Sequence, residues 1–186
     1  MRVLLAASDK AELQGFDDAF LKLVTGVGAI QAAAAVSKAI AESTPDIVIS
    51  VGSAGSLGTL SLGSSYSFGK VVSLDQDLTA YRLPLGATLG PRRETVSAFT
   101  LDRSSSLVLA SSCRFSDSRP SILADAADME AYGVALAASL YSIPCLAVKV
   151  ITDIAEEKVS LPDYSKRLRQ WRLGLREEVE RLLSRA

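Results

Sequence analysis

Histidine is missing from all 186 residues. That absence removes Ser-His-Asp and Cys-His nucleophilic machinery together with every histidine-based metal site, so any chemistry falls to carboxylates, hydroxyls and backbone groups. Cysteine is nearly as scarce. Cys113 and Cys145 stand far apart without metal-type spacing, a pattern expected of reduced thiols in a cytoplasmic protein rather than of a disulfide framework. Neither sign of charge dominates, with 20 basic residues against 21 acidic and a formal net charge of −1. Nucleic acid and an anionic membrane surface are therefore not expected partners. No apolar run is long enough to span a bilayer, and the short run over residues 1–7 breaks at Ser8-Asp9-Lys10, too early for a secretion signal. Repeats, linkers and low-complexity tracts are lacking too. With 48% hydrophobic and 22% charged residues, the chain is expected to form one domain, 1–186, whose core needs neither disulfide nor metal.

What is present is a succession of apolar strands and helices. Residues 3–7 read as a buried first strand. Its exit, Ser8-Asp9-Lys10-Ala11-Glu12, carries a helix N-cap signature with Glu12 in the first turn; Glu12 either favours the helix dipole or serves a site. Residues 21–25 form a second strand, followed by Gly26-Val27-Gly28 and an alanine-rich helix over 29–42. The third glycine of a dinucleotide fingerprint is missing, so the pair does not imply NAD. Residues 47–51 (IVISV) read as an inner strand that runs into a glycine-rich turn over 52–58, where backbone N–H groups and a hydroxyl can approach a ligand closely. A strand or bent hairpin arm is expected over 63–73, a surface excursion over 82–103 and another strand over 107–110. Phe115 beyond it is either core or stacked on a flat ligand.

The organising stretch comes later. A helix opening on Asp128-Met129-Glu130 covers 126–138, and residues 145–151 (CLAVKVI), apolar apart from Lys149, form an inner strand ending in Thr152-Asp153. Ligands of parallel sheets bind beyond such carboxyl ends. Asp153 either caps a short helix, with Glu156 completing a capping box, or is a site acid; Asp128 and Glu130 either favour a helix N-terminus or reach a ligand. Residues 162–185 close the chain as an amphipathic helix, with Leu168, Trp171, Leu175, Val179, Leu182 and Leu183 on its packing side. The alternation predicts an α/β fold, a single three-layer domain with a largely parallel, mixed sheet flanked by helices.

Four segments in order, Gly52-Ser53-Ala54-Gly55-Ser56-Leu57, Asp75-x-Asp77-x-Thr79-Ala80-Tyr81, Asp128-Met129-Glu130-Ala131 and Ile151-Thr152-Asp153-Ile154-Ala155, resemble signatures of the purine nucleoside phosphorylase and nucleosidase superfamily. Within it they resemble the methylthioadenosine/S-adenosylhomocysteine nucleosidases most, from residue 1 to about 157. The resemblance implies a nucleoside phosphorylase-like fold, a small-molecule purine nucleoside as partner, a homodimer, and no metal or organic cofactor. It implies that Asp153 protonates the purine at N7, with Thr152 where a serine usually precedes it, and that Glu12 activates water. It places Glu130 on the ribose hydroxyls with Met129 beside the sugar, and Asp128 among the same substrate-binding residues. Ser53, Ala54 and Gly55 match the loop near the ribose and the water or phosphate. Phe115 matches the aromatic that stacks on the base, with the Ser116 backbone at the purine edge, while Leu78 and Tyr81 match the 5′ pocket, part of whose wall comes from a second subunit.

The chemistry is coherent, because glycosidic cleavage passes through an oxocarbenium-like sugar and is served by one acid on the leaving group and one carboxylate on water. The chain departs from typical nucleosidases in being short: a hairpin is missing between Glu12 and Gly26, and the 82–107 stretch is compressed. Futalosine hydrolase, similar in its short N-terminal region, tends to carry asparagine where this chain has Asp153, so the aspartate favours an aminopurine leaving group. A phosphate-dependent purine nucleoside phosphorylase and a catalytically silent nucleoside-binding relative are the other readings.

Overall fold

The structure, a computed structural model, describes residues 1–90, 93–114, 122–155, 157 and 160–185. Its elements in chain order are β1 (Val3–Ala7), a 3-10 turn (Lys10–Leu13), β2 (Leu21–Val24), α1 (Ala29–Ser43), β3 (Ile47–Ser56), β4 (Ser65–Ser67), β5 (Lys70–Ser73), a second 3-10 turn (Thr79–Tyr81), β6 (Thr88–Leu89), β7 (Thr95–Val96), β8 (Phe99–Thr100), β9 (Val108–Ser111), β10 (Ala126–Asp128), α2 (Ala131–Leu140), β11 (Cys145–Ile154) and α3 (Leu161–Leu183). Nine strands form one mixed sheet, and β6 pairs with β7 in a separate ribbon. The β1–β2, β1–β3, β3–β11, β9–β10 and β5–β9 ladders are parallel. The β10–β3, β4–β11 and β5–β8 ladders of the sheet are antiparallel, as is the β6–β7 ribbon.

The three layers follow from the two-residue period of the inner strands. On one face Val3, Leu5, Ile49, Val51, Val148 and Val150 pack against Leu168, Leu175, Val179 and Leu182 of α3, with Trp171 and Leu183 partly buried alongside. On the other, Leu4, Ala6 and Val48 meet Ala32, Val36 and Ile40 of α1 and Val134, Ala137 and Ala138 of α2. Small side chains let the two helices close on each other. A Cβ placed on Gly133 of α2 would fall 2.0 Å from the Ala29 carbonyl oxygen, so that position accepts glycine alone.

Several sequence-based expectations are corrected. The supposed turn over 52–58 is strand as far as Ser56, because the ladder with β11 continues from Cys145↔Val48 to Ile154↔Ser56. The helix expected from Asp128 starts at Ala131, and Ala126–Asp128 is the short strand β10; the Asp128 carboxylate instead accepts the Ala131 N–H at 3.0 Å. No helix begins at Asp153, since β11 runs through Ile154; Glu156 lies outside the described residues. The arm expected over 63–73 is broken at Gly69, where a Cβ would meet the Ser105 carbonyl oxygen at 2.0 Å, and its halves β4 and β5 pair with different strands.

Candidate active site

β3 is the strand on which the site is built. β11 takes one of its edges from Val48 to Ser56. The opposite edge is shared: β1 covers Ile47 to Ser50 and β10 enters, running the other way, at Gly55 and Ser56. Residues 51–54 between them have no strand partner on that side among the described residues, and their backbone donors need another acceptor. Glu12 fills the opening. Its Oε1 accepts from the Ser53 N–H at 2.9 Å and the Ser53 hydroxyl at 3.1 Å, and its Oε2 accepts from the Ser8 N–H at 3.0 Å and the Ser8 hydroxyl at 2.8 Å. The approach is possible because residue 52 is glycine. Its φ of +143° suits no side chain, and a Cβ there would sit 2.5 Å from Glu12 Oε1. The N-cap expected after β1 is present, with Asp9 capping the turn that carries Glu12.

Asp153 reaches the same strand from the other edge. The β3–β11 register slips between Ile151 and Asp153, so that Ile151 opposes Ala54 while Asp153 opposes Gly55. The extra residue, Thr152, is a bulge, the device that re-aims a side chain at a sheet rim. Its buried hydroxyl donates to Asp153 Oδ1 at 2.8 Å, and its carbonyl accepts from Arg167 at 2.8 Å, a guanidinium also paired with Glu157 at 2.8 Å. Oδ2 faces the space that Gly55 leaves, where a Cβ would come within 2.6 Å of it. The two carboxylates thus pack on glycines three residues apart in one extended strand, a span of about 10 Å. Gly55→Ala is expected to push the Asp153 carboxyl aside and lower turnover roughly 10²-fold, the cost of about an ångström of misplacement, while the melting temperature changes little. Full activity in that variant would show that the position of Oδ2 is immaterial.

A second group of charges lies around Asp128 and Glu130. Lys149, on the inner strand β11 and 1% exposed, is paired at 2.9 Å with the equally buried carboxylate of Asp128. Asp128 also accepts from the Ser111 hydroxyl at 2.5 Å, and Ser111 Oγ accepts the Tyr132 N–H at 3.0 Å, so β9, β10, β11 and α2 meet at one salt bridge. Burial alone would push the Lys149 ammonium down; the charges of Asp128, Glu130 and Glu12 and the hydrogen bond to Asp128 outweigh it and hold the ammonium above the ordinary lysine range. Glu130 accepts the Gly28 N–H at 2.9 Å. Burial pushes its carboxyl up to about 7, with the charges of Asp128 and Glu12 adding and those of Lys149 and the Gly28 amide opposing.

The raised Glu130 carboxyl has a stability consequence. The unfolded chain loses this proton near 4.5, whereas the folded chain keeps it to about 7, so folding stability falls as pH climbs through that window and then levels off. The cost above pH 7 is roughly 3 kcal/mol. Glu130→Gln keeps an oxygen for the Gly28 amide and lacks the charge, so urea unfolding should find it more stable than the parent at pH 8, by about 1–3 kcal/mol, and little different at pH 4.5. A parent chain whose stability does not decline between these pH values would sink the assignment.

The remaining sequence-predicted residues are placed as follows. Ser53, Ala54 and Gly55 lie on β3 within the assembly just described, and Met129 is half-buried between Asp128 and Glu130. Asp77, ahead of the second 3-10 turn, accepts from the Thr79 N–H at 3.0 Å and the Thr79 hydroxyl at 2.7 Å; Leu78 is half-buried and Tyr81 78% exposed. Asp75 ties the end of β9 by accepting from the Ser112 hydroxyl at 2.8 Å and the Cys113 N–H at 2.6 Å. Phe115 and Ser116 lie outside the described residues. Lys149, Ser8, Ser111 and Tyr164 were not anticipated. Lys149 did carry a signal, because a lysine inside an apolar inner strand requires a buried counter-charge. Among the described residues no group of three His, Cys, Asp or Glu side chains could hold a metal ion, and no helix is long and apolar enough to cross a membrane.

Fold and site define an α/β domain of the nucleoside phosphorylase type, with acids gathered at the carboxyl end of a mixed sheet. The family model described as Phosphorylase superfamily matches residues 74–184, more than half of the sequence, and the chain belongs to that superfamily. Solved structures agree in fold. A futalosine hydrolase mutant of Helicobacter pylori superimposes with a TM-score of 0.83 at 15% identity, covering 100% of this chain and 99% of that one. The 5′-methylthioadenosine/S-adenosylhomocysteine nucleosidase of the same organism gives 0.83 at 16% identity, with 100% and 98% covered. That of Colwellia psychrerythraea, in complex with adenine, gives 0.82 at 19% identity, with 96% and 93% covered.

Proposed function

We propose that this chain is a purine nucleosidase that hydrolyses the N-glycosidic bond of an adenine nucleoside such as 5′-methylthioadenosine or S-adenosylhomocysteine. The observation that carries this reading is the occupant of the β3 opening. The Ser53 amide and hydroxyl, donors that could cradle an anion, are committed to the Glu12 carboxylate. A phosphate drawn to those donors would meet a buried negative charge at hydrogen-bond distance; a neutral water is welcome there. Hydrolysis therefore fits better than phosphorolysis.

The roles are those the resemblance implies, and the geometry supports them. Asp153 accepts from Thr152 through Oδ1 and gives the proton of Oδ2 to purine N7, so that the C1′–N9 bond breaks with a neutral base leaving. Glu12 takes a proton from the water whose oxygen bonds to C1′. Glu130 holds the ribose hydroxyls as a carboxylate, so substrate affinity weakens as pH falls below about 7. The exposed Tyr81 and half-buried Leu78 belong to a 5′ pocket completed by the second subunit of a homodimer.

Incubation with methylthioadenosine, with and without phosphate, tests the proposal by release of free adenine. Release without phosphate is the expected result. Strict phosphate dependence makes the chain a phosphorylase; release of hypoxanthine from futalosine alone makes it a futalosine hydrolase; no base from any purine nucleoside leaves a binding relative.

A further inference from the structure

A β-bulge leaves one residue out of the regular ladder, and the backbone groups of that residue must find partners elsewhere. For Thr152 one partner comes from α3. Arg167 Nη1 donates to the Thr152 carbonyl at 2.8 Å across fifteen residues of chain. The same guanidinium donates to Glu157 through Nη1 at 3.2 Å and Nη2 at 2.8 Å, a planar fork on a carboxylate that leaves the cation little freedom to turn. Its side chain is only 24% exposed, and the next residue, Leu168, is buried in the core between α3 and the sheet. Tyr164, three residues earlier and so on the same helix face, has its hydroxyl 2.6 Å from that of Ser53. The first two turns of α3 thus hold both strands of the site, β3 at Ser53 and β11 at Thr152. The Thr152 carbonyl and the Asp153 Cα belong to one planar peptide unit. Whatever fixes that carbonyl fixes the base of the Asp153 side chain, whose Oδ1 takes the Thr152 hydroxyl and whose Oδ2 faces Gly55.

We propose that Arg167 is a positioning residue for the general acid: held by Glu157, it pins the peptide plane between Thr152 and Asp153 and so sets the direction in which Asp153 offers its proton. The assignment rests on the nucleosidase reading, and it adds to that reading an ion pair that acts through Asp153 alone. Without the guanidinium the plane can turn, and Oδ2 drifts from the line to purine N7.

The test is a double-mutant cycle on adenine release from methylthioadenosine. Arg167→Met keeps the aliphatic stem and removes the fork, so kcat should fall roughly 10- to 10²-fold, the cost of displacing a reacting group by up to about an ångström, with KM little changed. Arg167→Lys keeps a donor for the carbonyl without the planar fork, and it should recover part of that loss. In an Asp153→Asn background, where no proton is offered, Arg167→Met should cost almost nothing further. Melting curves establish that each variant is folded. An arginine with a merely structural role would lower kcat by the same factor in both backgrounds. That result, or an unchanged kcat in Arg167→Met with Asp153 present, overturns the role of Arg167 while leaving the nucleosidase reading in place. A parent chain that releases no base from any purine nucleoside overturns both.

Discussion

Asp153→Asn is expected to release adenine roughly 10²- to 10⁴-fold more slowly than the parent chain, the range that general acid catalysis contributes. An amide still accepts from the Thr152 hydroxyl, so the bulge and the fold survive, and the loss is confined to the proton that Oδ2 supplies. Glu12→Gln is expected to cost a similar factor for a different reason: the amide cannot take a proton from water, and its NH₂ group must face either the Ser53 or the Ser8 donors. Steady-state kinetics on methylthioadenosine, set beside far-ultraviolet dichroism, separates lost chemistry from lost structure. Full turnover in either folded variant removes that residue from the mechanism. Binding of adenine should persist in both variants, because neither change alters the volume of the site.

The second large effect is structural. Lys149→Met leaves the Asp128 carboxylate buried beside Glu130 without its cation, and breaking a buried pair from one side costs about 3–5 kcal/mol. That is a large share of the 5–15 kcal/mol that holds an ordinary domain together. Denaturant titration should place the midpoint of Lys149→Met far below that of the parent. The added change Asp128→Asn should restore much of the loss, since an amide still accepts the Ala131 N–H while carrying no charge. Equal midpoints for the parent and Lys149→Met would mean that the pair in the structure contributes nothing net.

The inner strands and the long helices were legible because their periods are strong and their neighbours supply burial on both faces. The stretches 3–7, 47–51 and 145–151 reappear inside β1, β3 and β11, and the helix expected over 162–185 is α3 as far as Leu183. The misreadings cluster at the site. Gly52 and Gly55 looked like turn residues, and a sequence does not say that a glycine inside a strand is there to admit a carboxylate rather than to reverse the chain. Ala126–Asp128 was swallowed by a neighbouring helix because a three-residue strand has no period of its own. The sheet edges β4, β5 and β8 depend on long-range pairing and leave only weak local marks. The motif residues at 12, 53–55, 128–130 and 152–153 were singled out from the sequence, whereas Lys149 and Tyr164 were not, since each takes its meaning from partners far along the chain.

The shared edge of β3 has a consequence for how such a chain can change in length. The two acids of the proposed chemistry both meet β3 between Gly52 and Gly55, whereas the β6–β7 ribbon forms a small sheet of its own. Residues can be trimmed from or grafted into that outlying ribbon without disturbing the spacing of the two acids. Deleting a single residue inside β3 would swap its faces and pull the acids out of phase. A compact version of this architecture is therefore reached by pruning its rim, and its centre is the part that admits no edit.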